Sequence, residues 1–317
     1  MQKITQLAYH WLNGTKDYIL LLRIDHWFKN IFMIAGIIAA FIVSEDARTL
    51  SVLPGLLIGL LATCLIASAN YVLNEIIDGP LDRNHPKKQF RPIPSGRVVV
   101  KYAYIEYVIV AVCGLFFSLQ LGKYFFLTAL LFLIMGMVYN IPPVRTKELP
   151  YLDVLSESIN NPIRLLLGWY AMGLTSWPPS SLVISYWMIG AFFMAAKRLA
   201  EYREIGKMTA EKYRKSFSYY NEERLTASLV AYAAGFMFFF SVVIIKYHAE
   251  LILAAPVLMY YIAFYILLTF EKNSIVQTPE LLLKKPGFVM LNALLLVYLT
   301  FLANISLPFV RVMLGVE

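Results

Sequence analysis

Acidic and amide side chains recur at a regular spacing in the first third of the chain. Asn74, Asp78 and Asp82 stand four residues apart, and Glu75 adds a carboxylate beside the first of them. Side chains four residues apart share one face of an α-helix, so this spacing directs oxygen atoms toward one point. Oxygen ligands suit a hard cation such as Mg²⁺, which takes one or two carboxylates together with substrate phosphates. The pattern predicts that these four residues are ligands of Mg²⁺.

Basic residues follow the acidic motif within a proline-rich stretch. Arg83, Lys88 and Arg91 come directly after it. Cations bind phosphate oxygens by charge and by hydrogen bonds. Acids that hold a metal, followed by bases that hold phosphate, therefore predict a metal–diphosphate site. The alternative interpretation is a solvated loop whose charges keep a helix end in water, and the regular spacing of the acids favours the site.

Gly79 and Pro80 interrupt the acidic motif. A proline inside a helix lacks a hydrogen-bond donor and clashes with the backbone one turn back. We therefore expect the helix to bend or restart here. Asp78 then lies in the last turn of one helix, and Asp82 belongs to a new short turn that begins near Pro80.

The composition is that of a membrane protein. Hydrophobic residues make up 59% of the 317 residues, charged residues make up 15%, and the mean hydropathy is +0.64. A soluble domain carries about 25% charged residues. The net charge of +8 resides mostly beside apolar runs, which favours anionic lipids and phosphorylated substrates over nucleic acid as partners. Cys64 and Cys113 lie in apolar runs and predict neither a disulfide framework nor a zinc site.

Apolar runs long enough to cross a bilayer as helices predict an all-α fold. It is a polytopic membrane protein with nine transmembrane helices in a bundle and with polar cytoplasmic loops. We expect one integral membrane domain over residues 1–317, in which residues 1–27 form an amphipathic cytoplasmic segment without the cleavage site of a signal peptide. The predicted spans are residues 28–44, 50–73, 99–121, 124–141, 153–173, 180–199, 225–245, 249–270 and 288–310.

The distribution of Lys and Arg predicts the orientation in the membrane. With nine spans, nearly all basic residues fall on the side of the N-terminus. Positively charged loops stay in the cytoplasm. The N-terminus and the active site are therefore predicted to be cytoplasmic at an inner or plasma membrane, with the C-terminus outside. The basic residues on the opposite side are Arg48, Lys123, Lys246 and Arg311.

A second polar stretch occupies residues 194–224, at the end of the sixth predicted span and beyond it. Basic residues beside a membrane are commonly lipid-facing anchors, but their concentration on the same predicted face as the acidic motif favours phosphate binding. The predicted phosphate-binding residues are Lys197, Arg198, Arg214 and Lys215, and the further site residues are Glu201, Tyr213 and Tyr220.

Two more cations are predicted to bind substrate phosphate. Lys29 stands at the cytoplasmic end of the first span, and Arg164 falls inside the fifth. An ionisable group at membrane depth is costly and usually faces a cavity or a partner. The alternative for Arg164 is a structural ion pair with Glu157.

These motifs resemble the UbiA superfamily of membrane prenyltransferases. The superfamily motif is N-D-x-x-D-x-x-x-D, and this chain has Asn74-Glu75-x-x-Asp78-x-x-x-Asp82, with glutamate in place of one aspartate. Aromatic-substrate members carry a second aspartate-rich motif, whereas this chain has no aspartate between Lys197 and Arg224. The runs that resemble the decaprenyl-phosphate phosphoribosyltransferase branch are Lys197-Arg198-Leu199-Ala200-Glu201, Tyr213-Arg214-Lys215-Ser216, Trp27-x-Lys29-Asn30 and Arg91-Pro92-Ile93.

The resemblance implies a Mg²⁺-dependent transferase of cell-envelope biosynthesis, with Asn74, Asp78 and Asp82 as catalytic residues. Such an enzyme moves 5-phosphoribose from phosphoribosyl pyrophosphate to a polyprenyl phosphate and releases pyrophosphate. Its implied partners are those two substrates and membrane lipids, and the oligomeric state stays open.

Two other functions remain as alternatives. The first is a prenyltransferase of the same fold, which attaches a prenyl chain from a prenyl diphosphate to an aromatic or other small acceptor. The second is a transporter or channel, which accounts for the spans but not for the dense cluster of acids and bases.

Overall fold

The structure is a computed structural model that describes residues 15–83, 88–212, 214–282 and 285–315. Within these ranges every regular element is helical and no β-strand occurs. The predicted site residue Tyr213 and the first part of the predicted N-terminal segment, residues 1–14, lie outside the described residues. The all-α fold class predicted from the apolar runs is confirmed.

The α-helices follow one another with short connections, several of which are 3₁₀ turns. A long 3₁₀ segment, Ile24–Met33, leads directly into the first of them. In chain order the helices are α1 Ile34–Val43, α2 Leu53–Asp82, α3 Val100–Leu119, α4 Lys123–Asn140, α5 Leu152–Ser158, α6 Asn160–Ala171, α7 Ser180–Ile205, α8 Lys207–Ala210, α9 Glu222–Lys246, α10 Ala255–Phe270, α11 Pro279–Leu282, α12 Pro286–Asn304 and α13 Pro308–Leu314.

Among the described residues, eight helical segments are long and apolar enough to cross a membrane. Each overlaps one of the nine predicted spans. This agreement follows from the length of the apolar runs, because a helix rises about 1.5 Å per residue and a hydrocarbon core is about 30 Å thick. The segments are Thr15–Val43, Leu50–Asp82, Val100–Leu119, Lys123–Asn140, Ser180–Ile205, Glu222–Lys246, Ala249–Phe270 and Pro286–Asn304.

The remaining predicted span, residues 153–173, is divided between two helices. α5 has 7 residues and α6 has 12, so at a rise of about 1.5 Å per residue neither helix alone crosses a hydrocarbon core of about 30 Å. Pro162 explains the division, because it has no N–H to donate to the carbonyl oxygen of Ser158, the residue at which α5 ends. The total of nine spans stays a prediction.

The chain divides into two compact units. The first unit contains the described parts of Met1–Phe41, Glu45–Thr146 and Ile163–Thr175. The second contains the described parts of Ile42–Ser44, Lys147–Pro162 and Ser176–Glu317. The expectation of a single integral membrane domain stays a prediction.

In the first unit, close backbone contacts replace side-chain packing at two glycines. A Cβ atom on Gly36 would lie 1.8 Å from the carbonyl oxygen of Leu165, and one on Gly168 would lie 2.1 Å from that of Met33. Only glycine allows two helical segments to approach so closely. These contacts fix α6 beside the first span, while α2 packs between α3 and α4.

In the second unit, α7 is the central helix and packs along α9 and α5. Its buried face includes Phe192, which stacks at an angle against Tyr265 of α10. Trp187 donates from Nε1 to the carbonyl oxygen of Leu155 at 3.0 Å. These contacts hold the short helix α5 against α7, so the first residues of α5 lie beside the last turns of α7.

Candidate functional site

Asn74, Asp78 and Asp82 lie on one unbroken helix. α2 continues through Pro80 to Asp82, so the predicted restart at Pro80 is wrong. Pro80 stands in the last turn, where its missing N–H removes a single hydrogen bond, the one to the carbonyl oxygen of Ile76. The spacing of four residues therefore does place the three oxygen-bearing side chains on one face.

Asp78 forms an ion pair with Arg145, which follows α4 in the chain. Nη2 of Arg145 donates to Oδ1 of Asp78 at 3.0 Å. The backbone of Arg145 has a φ of 29°, in a region that disfavours residues with a side chain. Such a conformation persists only when its surroundings impose it. Arg145 is therefore held beside the acidic face of α2.

Asp82 lies between two cations of the basic stretch. Nη1 of Arg91 donates to Oδ2 of Asp82 at 2.8 Å, and Nζ of Lys88 lies 3.6 Å from Oδ1. The residue is 5% exposed, and a buried carboxylate needs such partners to remain ionised. Arg83 is exposed at the end of the helix. The structure thus brings the predicted acidic and basic groups together.

Glu75 attaches the basic stretch to α2. Its side chain is buried, and Oε1 accepts a hydrogen bond from the backbone N–H of Ile93 at 3.1 Å. A Cβ atom on Gly79 would lie 2.9 Å from Cγ2 of Ile93, so glycine at this position allows the loop to approach the helix. Glu75 therefore orients Arg91, two residues before Ile93. Its predicted role as a metal ligand stays a prediction.

The oxygen atoms of Asn74, Asp78 and Asp82 form a donor set that fits Mg²⁺. This ion takes amide and carboxylate oxygens, and it needs only one or two protein carboxylates when substrate phosphates supply further ligands. No group of three or more His, Cys, Asp or Glu side chains converges within the described parts of the chain. The assignment of Asn74, Asp78 and Asp82 as ligands of Mg²⁺ therefore stays a prediction.

Arg164 lies deeper in the first unit. It is 7% exposed, and Nε donates to Oδ1 of Asn30 at 2.9 Å. Its guanidinium also lies over the ring of Phe132, 4.7 Å from the centroid. Asn30 in turn donates to the sulfur of Cys64. A polar partner and an aromatic face thus accommodate this buried cation, while Lys29 beside Asn30 is half-buried.

In the second unit, Arg198 of α7 is surrounded by carboxylates. It is 2% exposed. Its Nε donates to Oδ2 of Asp153 at 3.1 Å, Nη2 donates to Glu157 at 2.7 Å, and Nη1 donates to Glu201 at 3.4 Å. All three nitrogen atoms of this guanidinium have a protein partner. Glu157, which the sequence offered as a partner for Arg164, pairs here with Arg198.

Asp153 connects Arg198 to the segment that follows Tyr213. The carboxylate is fully buried. Oδ1 accepts from the hydroxyl of Tyr220 at 2.6 Å, and Oδ2 accepts from Oγ of Ser216 at 3.2 Å. Burial and the adjacent carboxylate raise the pKa of the Tyr220 phenol above its ordinary value. Tyr220 therefore remains a neutral donor to Asp153.

The other predicted cations of this stretch are more accessible. Nη1 of Arg214 lies 3.5 Å from Oδ2 of Asp153, and its side chain is 21% exposed. Lys215 is 79% exposed and lies 2.9 Å from Glu148. Lys197 is half-buried on α7. Arg214 is thus the cation that combines a fixed contact with an accessible side chain.

Sequence reasoning missed Arg145 and Asp153. Arg145 follows two prolines in a short polar loop, and that combination could have identified it as a positioned cation. Asp153 was counted as the first residue of an apolar span. Its sequence neighbourhood offers no such indication, because its partners lie 45 to 67 residues away.

The chain matches a model of a known protein family. The family is described as the UbiA prenyltransferase family, and the match covers residues 31–280. A solved structure of a UbiA homologue from Archaeoglobus fulgidus, bound to DMAPP and Mg²⁺, aligns with 92% of this chain and 100% of its own. The TM-score is 0.69 and the sequence identity is 19%, so this likeness concerns the fold alone.

Two relatives share sequence over a large part of the chain. A decaprenyl-phosphate phosphoribosyltransferase from Mycolicibacterium smegmatis is 30% identical over 217 residues, which are 67% of this chain and 65% of the relative. A protein of the same name from Corynebacterium glutamicum is 29% identical over 252 residues, which are 70% of this chain and 67% of the relative. The chain thus spans about two thirds of the length of these curated relatives.

Proposed function

Because this chain belongs to the UbiA prenyltransferase family, we propose that it is a membrane transferase that uses a diphosphate donor. Specifically, it transfers 5-phosphoribose from phosphoribosyl pyrophosphate to a polyprenyl phosphate and releases pyrophosphate. The similarity to two decaprenyl-phosphate phosphoribosyltransferases supports this donor. The reaction takes place on the cytoplasmic side of an inner or plasma membrane.

The distribution of charge carries the proposal. The first unit has acids with cations beside them, as a metal–diphosphate site requires. The second polar stretch has no aspartate of its own, and the carboxylates around Arg198 are occupied by hydrogen bonds. A prenyl diphosphate has one phosphorylated end, whereas phosphoribosyl pyrophosphate has two. One acidic centre in the first unit and the cations of the second polar stretch suit the two phosphorylated ends of phosphoribosyl pyrophosphate better.

Asn74, Asp78 and Asp82 are the residues proposed to hold Mg²⁺. When bound, the ion supplies Lewis-acid and templating chemistry at the diphosphate. The carboxylates of Asp78 and Asp82 are fixed by α2, and Glu75 holds the adjoining loop. The backbone that carries these side chains therefore does not have to reorganise when substrate binds, which favours the transition state.

The basic groups beside the acids offset the charge of the leaving group. In the reaction, the bond from ribose C1 to the pyrophosphate oxygen breaks, and its electron pair leaves with pyrophosphate. The departing oxygens accept hydrogen bonds from nearby cations, whose positive charge also stabilises them; these cations are Arg145, Arg91 and Lys88. Arg83 adds a cation at the exposed end of α2.

The acceptor needs little activation by the protein. An oxygen of the lipid phosphate, which is already anionic, forms the new bond to ribose C1, so no side chain has to remove a proton. Arg214, Lys197 and Lys215 are proposed to bind the ribose 5-phosphate. Lys29 and Arg164 are proposed to bind the lipid phosphate. Arg198 was predicted as a direct phosphate ligand, and its carboxylate partners favour a supporting role instead.

The test is product analysis with purified protein in liposomes. The protein receives Mg²⁺ and polyprenyl phosphate with phosphoribosyl pyrophosphate, or a prenyl diphosphate with an aromatic acceptor. We expect mass spectrometry to find a phosphoribosylated lipid in the first reaction and release of pyrophosphate. Consumption of the prenyl diphosphate alone overturns the donor assignment in favour of the prenyltransferase alternative. Uptake of either solute without turnover favours a transporter.

A further inference from the structure

Asp153 has more hydrogen-bonding partners than its ion pair with Arg198 requires. Arg198 already has the carboxylates of Glu157 and Glu201 within hydrogen-bonding distance. Removing the negative charge of Asp153 would therefore leave this guanidinium with two counterions. The need to neutralise Arg198 does not explain a fully buried aspartate at the start of α5.

Among the described residues, the other hydrogen bonds and ion pairs of the Asp153 carboxylate go to one short segment, residues 214–220. Arg214, Ser216 and Tyr220 each place a donor atom beside its carboxylate, at 3.5, 3.2 and 2.6 Å. A buried carboxylate that accepts several hydrogen bonds fixes its donors strongly, because each donor loses a partner of full charge when it moves. Asp153 thus determines where this segment lies on the second unit.

The end of the segment is anchored twice. The Tyr220 hydroxyl donates to Asp153 and accepts from the backbone N–H of Tyr151. The rings of Phe217 and Tyr220 are fully buried in a cluster with Leu199 of α7. Phe217 and Tyr220 therefore hold the segment in place while Arg214, at its start, keeps a partly exposed side chain.

We propose that Asp153 is a positioning residue for phosphate binding, and that it acts through Arg214. The ion pair between Oδ2 and Nη1 fixes the position of this partly exposed guanidinium before a phosphate arrives. Arginine loses much side-chain entropy on binding when it is free to move, and fixing it in advance reduces that cost. The proposal rests on the proposed function, which assigns the ribose 5-phosphate to Arg214.

A double-mutant cycle tests this role. Arg214→Gln and Asp153→Asn should each raise KM for the diphosphate donor about tenfold or more, with a smaller change in kcat. The first variant removes a charged hydrogen bond to phosphate, and the second removes the ion pair that positions Arg214. If Asp153 acts through Arg214, the double variant should have the KM of Arg214→Gln alone. If the KM of the double variant instead rises by the product of the two single fold-increases, Asp153 is merely structural and the proposal is overturned.

Two milder variants cover the case in which Asp153→Asn does not fold. Ser216→Ala and Tyr220→Phe each remove one donor to Asp153, and each should raise KM in the wild-type background but not beside Arg214→Gln. Tyr219→Phe is the matched control, since Tyr219 is an exposed neighbour and its hydroxyl is no part of this network. An equal rise in KM with Tyr219→Phe would contradict the assignment.

The cycle is measured with the donor that the wild-type protein consumes, and in parallel by calorimetric titration with ribose 5-phosphate. If the wild type uses only a prenyl diphosphate, the proposed function fails, while the titration still decides whether Asp153 acts through Arg214. If phosphoribosyl pyrophosphate is the donor and the cycle is additive in both measurements, the role of Asp153 fails alone.

Discussion

Nη2 of Arg145 lies 3.0 Å from Oδ1 of Asp78, although the two residues are 67 positions apart in the chain. A carboxylate proposed as a metal ligand thus already has a cation in contact. The pair is largely buried, with the two side chains 12% and 17% exposed. Arg145 and a divalent cation therefore compete for the same charge in the absence of substrate, whereas both can bind the oxygens of a diphosphate.

This competition predicts opposite effects of Arg145→Gln on metal binding and on turnover. Without substrate, the variant should bind a divalent cation more tightly, because a repelling charge is gone. Turnover should fall about 10- to 150-fold, which corresponds to losing one hydrogen bond to a charged group, roughly 1.5–3 kcal/mol. Electron paramagnetic resonance with Mn²⁺ measures the first effect and steady-state kinetics the second. A variant that loses both affinity and turnover would show that Arg145 supports the metal site instead.

The metal role of Asp78 predicts loss of activity without loss of the fold. Asp78→Asn removes the charge that a hard cation requires, so turnover should be abolished while membrane insertion and the thermal midpoint persist. Chelation of divalent ions should have the same effect on the wild type. Asp25→Asn is the control, because its side chain is 75% exposed. Full activity in excess EDTA would exclude a divalent cation from the reaction.

The buried ion pairs of Arg198 predict a loss of stability. Arg198→Gln removes the buried cation that Asp153 and Glu157 share, and removing one partner of a buried pair costs about 3–5 kcal/mol. The thermal midpoint in detergent should therefore fall clearly. Arg203→Gln on the same helix is the matched control, since its pair with Glu222 is exposed and such pairs contribute about 0–1 kcal/mol. Equal decreases of the thermal midpoint in the two variants would contradict a stabilising role for the buried ion pairs of Arg198.

The raised pKa of Tyr220 predicts that the stability of the folded protein depends on pH in the alkaline range. A phenol whose pKa is higher in the folded state contributes stability that is fully present below its unfolded pKa of about 10 and is lost as the pH rises further. The wild type should therefore lose more stability above about pH 10 than Tyr220→Phe does. Thermal midpoints across this range measure the difference. Parallel curves would mean that Tyr220 is not held as a neutral donor to Asp153.

Orientation in the membrane depends on whether residues 152–171 cross it. Nine spans put the two termini on opposite sides, whereas eight put them on the same side. We expect cysteines introduced near Lys88 and Lys207 to react only from the cytoplasm and one near Val316 only from outside. Val316 lies outside the described residues. Labelling at Val316 from the cytoplasm would mean that α5 and α6 do not span. The native Cys113 is exposed and must first be replaced.

The sequence by itself determined the helices and the identity of most charged groups. Apolar runs of sufficient length form membrane helices because the backbone must satisfy its own hydrogen bonds in lipid, and eight of these runs appear as helical segments. The spacing of Asn74, Asp78 and Asp82 was also readable, because their shared face depends only on the geometry of one helix. The sequence did not show whether the helix continues through Pro80. The free-energy cost of a proline in a helix depends on how many helical residues follow it.

Only the tertiary structure decided which charges are partners. Arg145 pairs with Asp78, and Asp153 collects Arg198, Ser216 and Tyr220, over separations of 45 to 67 residues. No local pattern encodes such pairs, because they arise where α5 packs on α7 and where the loop after α4 reaches the end of α2. Burial then converts these contacts from weak surface pairs into strong constraints, since a charge without a partner is costly in a medium of low polarity.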